Sequence, residues 1–286
     1  RSSLRILRHG LGVTQIALTP LPRIATSVWT LRKTLRDTAD KFIVVSFPAS
    51  TMILAITGDN IAEVSNSGLL GNAPTLSTAL LGEDSLVQVH SGGIRVVRSD
   101  MRITEWVPPG HATVSHAACN GQQVVISIAG SEGSLFYFEL DSSGQLTEVE
   151  HRGIEREIAA IDIAPATSGR RARFMAASDY EGKVRILSLT PDACLQQAAV
   201  QVVPATALSL CLSETEDSAP APTAGVAIGS SSVPMTTTTT LFLNVGLPNG
   251  IMFRSVVDGG TGELFDTRPR FLGSPPAVPR GFRLRD

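Results

Sequence analysis

A repeated unit of strand-like segments constrains the fold of this chain more than any other feature of its sequence. Three copies of the unit lie at 123–150, 173–200 and 240–266. Each copy has two apolar runs joined by a glycine-containing turn, then a polar turn and a third run, and apolar residues alternate within the runs as in half-buried strands. A further apolar run precedes each copy, at 113–118, 158–163 and 207–212. The sequence therefore predicts units of four strands.

Two earlier units fit the pattern less closely. We place their first strands at 13–18 and 75–80, with hairpins around 48–51 and 91–93. Five units of four antiparallel strands, repeated along the chain, predict an all-β protein of the β-propeller class. The WD dipeptide that marks many propellers is absent from the sequence.

Five blades do not close a propeller ring by themselves. The additional apolar runs at 4–7 and 281–285 have no partners within the five units, and an open ring would expose unpaired strand edges. We therefore interpret 1–286 as one partial propeller, with about five of roughly seven blades. On this interpretation the chain is a fragment, and the remaining blades lie outside it.

Two segments are predicted to be loops. The segment 213–240 is rich in Ser, Thr, Pro and Ala, and such a composition buries too little apolar surface to offset its ordering entropy. We predict a disordered loop between the first and second strands of the fifth blade. The segment 29–42 mixes Trp29, Leu31 and Leu35 with several charges, and we interpret it as a charged loop rather than a short helix.

The composition argues against several classes of function. Lys and Arg number 24 against 26 Asp and Glu, for a net charge of -2, so little or no direct nucleic-acid binding is expected. No apolar run approaches the roughly 18 residues of a membrane-spanning helix, and we predict a soluble protein without a membrane partner. Three widely spaced cysteines, Cys119, Cys194 and Cys211, suggest buried thiols in a reducing compartment.

Motifs that could support catalysis or metal binding have simpler interpretations. His111, His116 and Cys119 form H-x4-H-x2-C, but residues five apart on a strand point to opposite faces, which argues against a shared metal. No G-x-S-x-G motif occurs, and the glycine-rich segments 130–133 and 259–262 lie within hairpins rather than before a helix, so we interpret them as turns. We therefore predict no catalytic residue, no metal site, no cofactor and no enzymatic activity.

Two groups of arginines are the candidate interface residues. One group is Arg170, Arg171 and Arg173, and the other is Arg1, Arg5 and Arg8. Such clusters can contact RNA or an acidic partner, although solubilising the surface is the alternative role. Trp29 and Trp106 lie near the ends of their units, and we expect them to pack between blades.

Much of the chain resembles one family of propeller proteins. The resemblance is carried by SLRILRHG at 3–10, VWTLRK at 28–33, IVVSF at 43–47, and by the segments 63–110, 192–211 and 241–274. The family has three tandem propellers and includes the large subunits of the damaged-DNA-binding complex and of the cleavage and polyadenylation specificity factor. The chain is most similar to its spliceosomal branch, the third subunits of splicing factor 3b, and resembles most of the second propeller.

This resemblance implies a nuclear scaffold without catalytic activity. The expected assembly is splicing factor 3b in the U2 small nuclear ribonucleoprotein (snRNP), with support of branch-site recognition in pre-mRNA splicing as the role. The partners it implies are the HEAT-repeat large subunit and the small subunits of splicing factor 3b. The alternative is a cullin-docking ubiquitin-ligase adaptor, as in the damaged-DNA-binding relative. No family motif assigns binding residues to numbered positions in this chain.

Overall fold

The fold is built from β-sheets joined in series. The computed structural model describes residues 20–58, 60–130, 133–141, 143–154, 156–166, 170–217 and 238–281. In these ranges twenty strands form five four-stranded antiparallel sheets, blades 1 to 5, and within each blade every strand pairs with its neighbours in sequence. The predicted all-β propeller with about five four-stranded blades is thereby confirmed.

The strand bounds follow the predicted order of four strands per blade. Blade 1 comprises β1 (Ser27–Leu31), β2 (Phe42–Ser46), β3 (Thr51–Thr57) and β4 (Asn60–Glu63). Blade 2 comprises β5 (Thr75–Leu81), β6 (Ser85–His90), β7 (Gly93–Val97) and β8 (Ile103–Trp106). Blade 3 comprises β9 (Val114–Cys119), β10 (Gln123–Ile128), β11 (Ser134–Leu140) and β12 (Leu146–Gly153). Blade 4 comprises β13 (Ile158–Ile163), β14 (Phe174–Asp179), β15 (Lys183–Ser188) and β16 (Gln197–Val202). Blade 5 comprises β17 (Ser209–Asp217), β18 (Thr238–Gly246), β19 (Ile251–Val257) and β20 (Leu264–Phe271).

Helical structure in the described ranges is limited to three short 3-10 turns. They lie at Gly82–Asp84, Pro109–His111 and Pro191–Ala193. In this part of the chain no helix has the length and apolar character needed to cross a membrane.

The first strand of blade 1 differs from the prediction. It is β1, which pairs with β2, with Trp29 opposite Val44 and Leu31 opposite Phe42. The segment 13–18, which we expected in this role, lies outside the described residues. The charged loop predicted over 29–42 is shorter, because residues 29–31 complete β1 and only 32–41 connect the strands. Alternation of Trp29 and Leu31 with polar residues is the strand signal that the neighbouring charges obscured.

The loop of blade 5 also has narrower bounds than predicted. β17 continues to Asp217 and β18 begins at Thr238, with Glu214 opposite Leu241 and Thr215 opposite Thr240. The threonine run favours an extended backbone because threonine is β-branched. The remaining part of the predicted loop, 218–237, and the unpaired runs at 4–7 and 282–285 lie outside the described residues.

Neighbouring blades pack through apolar clusters. Between blades 2 and 3, Phe136 and Phe138 of β11 contact Trp106 of β8, with the Trp106 and Phe138 ring centroids 4.9 Å apart at an interplanar angle of 76°. Trp29 packs against a cluster that joins blade 1 to Leu86 and Val97 of blade 2. Both tryptophans therefore lie between blades, as the sequence predicted.

Arginines also reach from one blade to the turns of the next. The Arg98 Nη2 donates to the Ser143 carbonyl at 2.8 Å, from blade 2 to blade 3. The Arg152 Nη1 donates to the Leu195 carbonyl at 3.3 Å, from blade 3 to blade 4. In both of these contacts the donor precedes its acceptor in the sequence.

Candidate functional site

The first strands of the five blades surround one cavity of about 460 Å³. β1, β5, β9, β13 and β17 each contribute to its wall, and the segment 279–281 closes part of it. The titratable side chains that line it include Cys119, Asp162, Cys211 and Arg280. This cavity, the channel, is the place where residues distant in sequence converge.

Asp162 is a buried carboxyl group at the wall of the channel, which Glu214 also lines. It lies on β13, and its Oδ2 accepts a hydrogen bond from the Leu212 backbone N–H on β17 at 2.6 Å, which links blade 4 to blade 5. Burial raises the pKa of Asp162 to about 7, although the Leu212 and Ile163 amides and the Arg280 charge oppose this. Near neutral pH the channel therefore contains a carboxyl group that can exchange a proton.

The raised pKa of Asp162 predicts how stability changes with pH. Its pKa is about 7 in the folded chain against 3.8 for the free side chain, so folding favours the protonated form. That stabilisation is complete below pH 4 and is lost as the pH rises through about 7. We expect Asp162→Asn, whose side-chain oxygen can still accept from Leu212, to raise the free energy of unfolding on the order of 2 kcal/mol at pH 8.

Urea unfolding of the wild type and Asp162→Asn at pH 4 and pH 8 measures this effect. At pH 4 the two proteins should have the same stability. Asp192→Asn, at an exposed turn residue, is the matched control and should follow the wild type at both pH values. An equal stability difference between Asp162→Asn and the wild type at pH 4 and pH 8 would contradict the prediction.

The three cysteines, two of which line the channel, are poor nucleophiles. Burial raises the pKa of Cys119 to about 12, against the opposing hydrogen bond from Ser77. Burial and the Asp162 charge raise the pKa of Cys211 to about 11, and burial also raises the pKa of Cys194. All three are free cysteines. Since the thiolate is the reactive form, these thiols are suited to packing rather than to covalent chemistry.

The two histidines of the H-x4-H-x2-C motif lie in different structural elements. His111 ends a 3-10 turn and has a left-handed φ of 55°, whereas His116 lies within β9. Burial lowers the pKa of His116, with a hydrogen bond to the Ile158 backbone and the Glu157 charge opposing the shift. In the described ranges no three His, Cys, Asp or Glu side chains come together as metal ligands would.

The arginines at 170–173 line a cleft of about 750 Å³ between blades 4 and 5. The Arg171 guanidinium pairs with Glu139 of blade 3, which also accepts a hydrogen bond from the Tyr137 hydroxyl. Arg173 donates to the carbonyl oxygens of Gly259 at 2.6 Å and Gly260 at 3.1 Å. Two of the three candidate residues therefore fasten neighbouring blades. Arg1, Arg5 and Arg8 lie outside the described residues.

A buried polar network holds the backbone of Ala172, which lies between Arg171 and Arg173. The Gln123 amide donates to the Tyr137 hydroxyl at 2.6 Å and to the Ala172 carbonyl at 3.0 Å, and it accepts from the Ala172 N–H at 2.6 Å. Burial is the main reason that the pKa of Tyr137 is raised. The network fixes the backbone beside Arg171 and Arg173 against blade 3.

Alanine substitutions separate the structural role of these arginines from a binding role. We expect Arg173→Ala to lower the free energy of unfolding by about 1 kcal/mol, because two hydrogen bonds to blade 5 are lost. Arg171→Ala should lower the free energy of unfolding by less, since the ion pair that it removes is partly exposed. Arg170 has no partner within the described ranges, so Arg170→Ala is the matched control and should leave thermal unfolding unchanged. Equal melting temperatures for all three variants would refute a structural role.

Sequence reasoning missed Asp162 as a site residue. A signal was present, because Asp162 is the one acidic residue in the apolar run IAAIDI, and a lone carboxyl in a buried strand is unusual. It also missed Gln123, Tyr137 and Glu139 of blade 3. Their role depends on contacts with Ala172 and Arg171 of blade 4.

Comparisons with known proteins identify the family of the chain. Residues 13–284 match the family model described as the RSE1/DDB1/CPSF1 second beta-propeller. Spliceosome-associated protein 130 A of Arabidopsis thaliana is 46% identical over 283 residues, which cover 96% of this chain and 22% of the relative. Splicing factor 3B subunit 3 of Danio rerio is 44% identical over 287 residues, which cover 100% of this chain and 22% of the relative. Pre-mRNA-splicing factor rse1 of Emericella nidulans is 40% identical over 276 residues, which cover 96% of this chain and 21% of the relative.

These matches bear on the resemblance seen in the sequence. The chain spans about a fifth of the length of the three relatives. Each match therefore covers only one part of the relative. The family model extends over nearly all of the chain, including all five blades, which confirms the predicted family and its spliceosomal branch. The chain belongs to the RSE1/DDB1/CPSF1 second beta-propeller family.

Proposed function

We propose that this propeller is a non-catalytic scaffold of splicing factor 3b, within the U2 snRNP, and that it supports branch-site recognition during pre-mRNA splicing in the nucleus. The observation that carries the proposal is the similarity, at 40–46% identity along at least 96% of the chain, to proteins named as splicing factors or as spliceosome-associated. Its partners on this proposal are the HEAT-repeat large subunit and the small subunits of the same complex.

The side chains of the described residues support a binding role more than a catalytic one. Among the described residues that line the channel there is no histidine or lysine beside Asp162. The nearby thiols have raised pKa values, and two arginines of the cleft hold blades together. A net charge of -2 also favours protein partners over direct contact with nucleic acid.

A pull-down of the tagged full-length protein from nuclear extract tests the assignment. We expect mass spectrometry to identify the HEAT-repeat and small subunits of splicing factor 3b, and hybridisation to detect U2 RNA. Protein partners that remain after nuclease treatment would indicate contacts independent of RNA. Recovery of a cullin without these components would reject the splicing assignment and favour the ubiquitin-ligase adaptor role.

Depletion of the protein gives a second readout of the proposed role. We expect introns to be retained in many transcripts and the full-length protein to restore their removal. Normal splicing after complete depletion would count against the scaffold function even if the complex were recovered.

A further inference from the structure

Two asparagines in the sequence are followed directly by glycine, at Asn120-Gly121 and Asn249-Gly250. In such a pair the glycine nitrogen can attack the side-chain amide carbon of the asparagine, because glycine has no side chain to obstruct the approach. Asparagine is for this reason one of the thermolabile residues. The first pair lies in the turn between β9 and β10, and the second lies in the turn between β18 and β19. Their surroundings determine which pair reacts.

The carboxamide of Asn120 is fixed by four hydrogen bonds. Its Oδ1 accepts from the backbone N–H groups of Gln122 at 3.0 Å and Gln123 at 2.8 Å. Its Nδ2 donates to the Gln123 Oε1 at 2.9 Å and to the Ala164 carbonyl at 3.0 Å, which joins blade 3 to blade 4. Asn120 is also half-buried. Rotation of this side chain toward the Gly121 nitrogen would break most of these bonds at once.

The carboxamide of Asn249 is much less constrained. Asn249 is exposed, and among the described residues its side chain makes one hydrogen bond, in which Oδ1 accepts from the Ile251 N–H at 3.2 Å. The Gly250 nitrogen donates to the Leu247 carbonyl, also at 3.2 Å. Both distances are at the long end of the range for such bonds. Local opening of this turn therefore breaks fewer and weaker contacts than opening at Asn120.

The tip of this kind of turn stays accessible when another blade packs beside it. The corresponding turn of blade 4 joins β14 to β15, and Tyr180 and Glu181 at its tip are exposed although blade 5 follows. In blade 2, Gly92 in the turn between β6 and β7 is exposed although blade 3 follows. We therefore expect Asn249 to be open to water in the full-length protein.

We propose that Asn249 is a site of spontaneous deamidation, at which aspartate and isoaspartate accumulate as the protein ages. The Gly250 nitrogen loses its proton and forms a bond to the Asn249 Cγ, while the bond between Cγ and Nδ2 breaks and ammonia leaves. The product is a five-membered succinimide ring. Water then opens the ring at Cγ to give aspartate, or at the main-chain carbonyl carbon to give isoaspartate. Water is the only co-reactant, and no atom is oxidised or reduced.

Isoaspartate at this position weakens the contact between the turn and the segment after β20. The backbone of isoaspartate passes through Cβ and Cγ, which adds one methylene to the chain between β18 and β19. The Gly250 carbonyl accepts from the Leu272 N–H at 2.9 Å, and the Leu247 carbonyl accepts from the Ala277 N–H at 3.0 Å. A longer turn moves at least one of these carbonyls away from its donor. The aged protein should therefore have a lower melting temperature than the fresh protein.

Incubation of the full-length protein in mildly alkaline buffer tests this proposal, because loss of the proton from the attacking nitrogen is favoured there. Tandem mass spectrometry of a chymotryptic digest measures the conversion of each asparagine, and an isoaspartate-specific methyltransferase counts the isoaspartate residues. In the folded protein we expect Asn249 to convert at least about tenfold faster than Asn120, since Asn120 must first lose more hydrogen bonds. In concentrated urea, where both turns are unfolded, the two rates should become similar.

Asn249→Gln separates this reaction from other effects of ageing. A glutamine side chain would have to close a six-membered ring, which forms far more slowly, and its exposed position should leave folding unaffected. The variant should start with the melting temperature of the wild type and keep it during incubation. Asn72→Gln is the matched control, because it removes an exposed asparagine that is followed by alanine. It should age as the wild type does.

Three results would overturn the proposal. The first is equal conversion of Asn249 and Asn120 in the folded protein. The second is conversion of Asn249 in urea but not in the folded protein, which would show that the turn is protected. The third is an equal fall in melting temperature for the wild type and Asn249→Gln, which would place the damaging change elsewhere in the chain. These outcomes are independent of the proposed role in splicing.

Discussion

Replacing Gly250 with alanine is expected to lower the free energy of unfolding by about 3 kcal/mol or more. Gly250 ends the turn between β18 and β19 with a φ of 77°, a conformation that disfavours a side chain. A Cβ at this position would overlap the carbonyl oxygen of Gly273, and the Pro275 carbonyl is also close. Because both obstacles are backbone atoms, relief requires movement of the chain after β20.

Thermal and urea unfolding of the two proteins measure this effect. Gly259→Ala is the matched control, because Gly259 lies in the next turn of the same blade and has open space where the alanine Cβ would lie. We expect its stability to stay within about 0.5 kcal/mol of the wild type. Similar stability for the two variants would show that the segment after β20 can move away from Gly250 at little cost.

Phe138→Ala is expected to have an effect of similar or larger size, about 4 kcal/mol. Phe138 is 1% exposed and lies in the cluster that joins blades 2 and 3. It meets Trp106 edge to face, so its loss leaves a cavity at the contact between blades and removes an aromatic pair. The near-ultraviolet circular dichroism of the tryptophans should weaken at the same time.

A phenylalanine at the surface gives the control for this substitution. Phe271 is 70% exposed at the end of β20, and Phe271→Ala should change the free energy of unfolding by less than about 1 kcal/mol. If Phe138→Ala were equally mild, contact between blades 2 and 3 would contribute little to stability, and the blades would have to be held together mainly by hydrogen bonds.

The blades could be predicted from the sequence because their signals are local. Alternating apolar residues and glycine turns recur at a fixed spacing, and β13 has the bounds that the pattern indicates. Where local signals compete, the prediction was less accurate. The charges after Leu31 hid the end of β1, and the threonines before Leu241 suggested a loop where β18 has already begun.

The candidate sites depend on contacts that no local pattern contains. Arg171 and Glu139 are 32 residues apart, and Arg173 and Gly259 are 86 residues apart. The pKa of Asp162 likewise depends on how two blades close around it.

The direction of the arginine contacts has a consequence for biosynthesis. Arg171 of blade 4 reaches back to Glu139 of blade 3, but Arg98, Arg152 and Arg173 each belong to the earlier blade, and the carbonyl groups that they bind belong to the later one. During translation the donor therefore leaves the ribosome before its acceptor, and each finished blade presents a docking surface for the nascent one. The polypeptide can add blades in the order of synthesis, without waiting for its last residues.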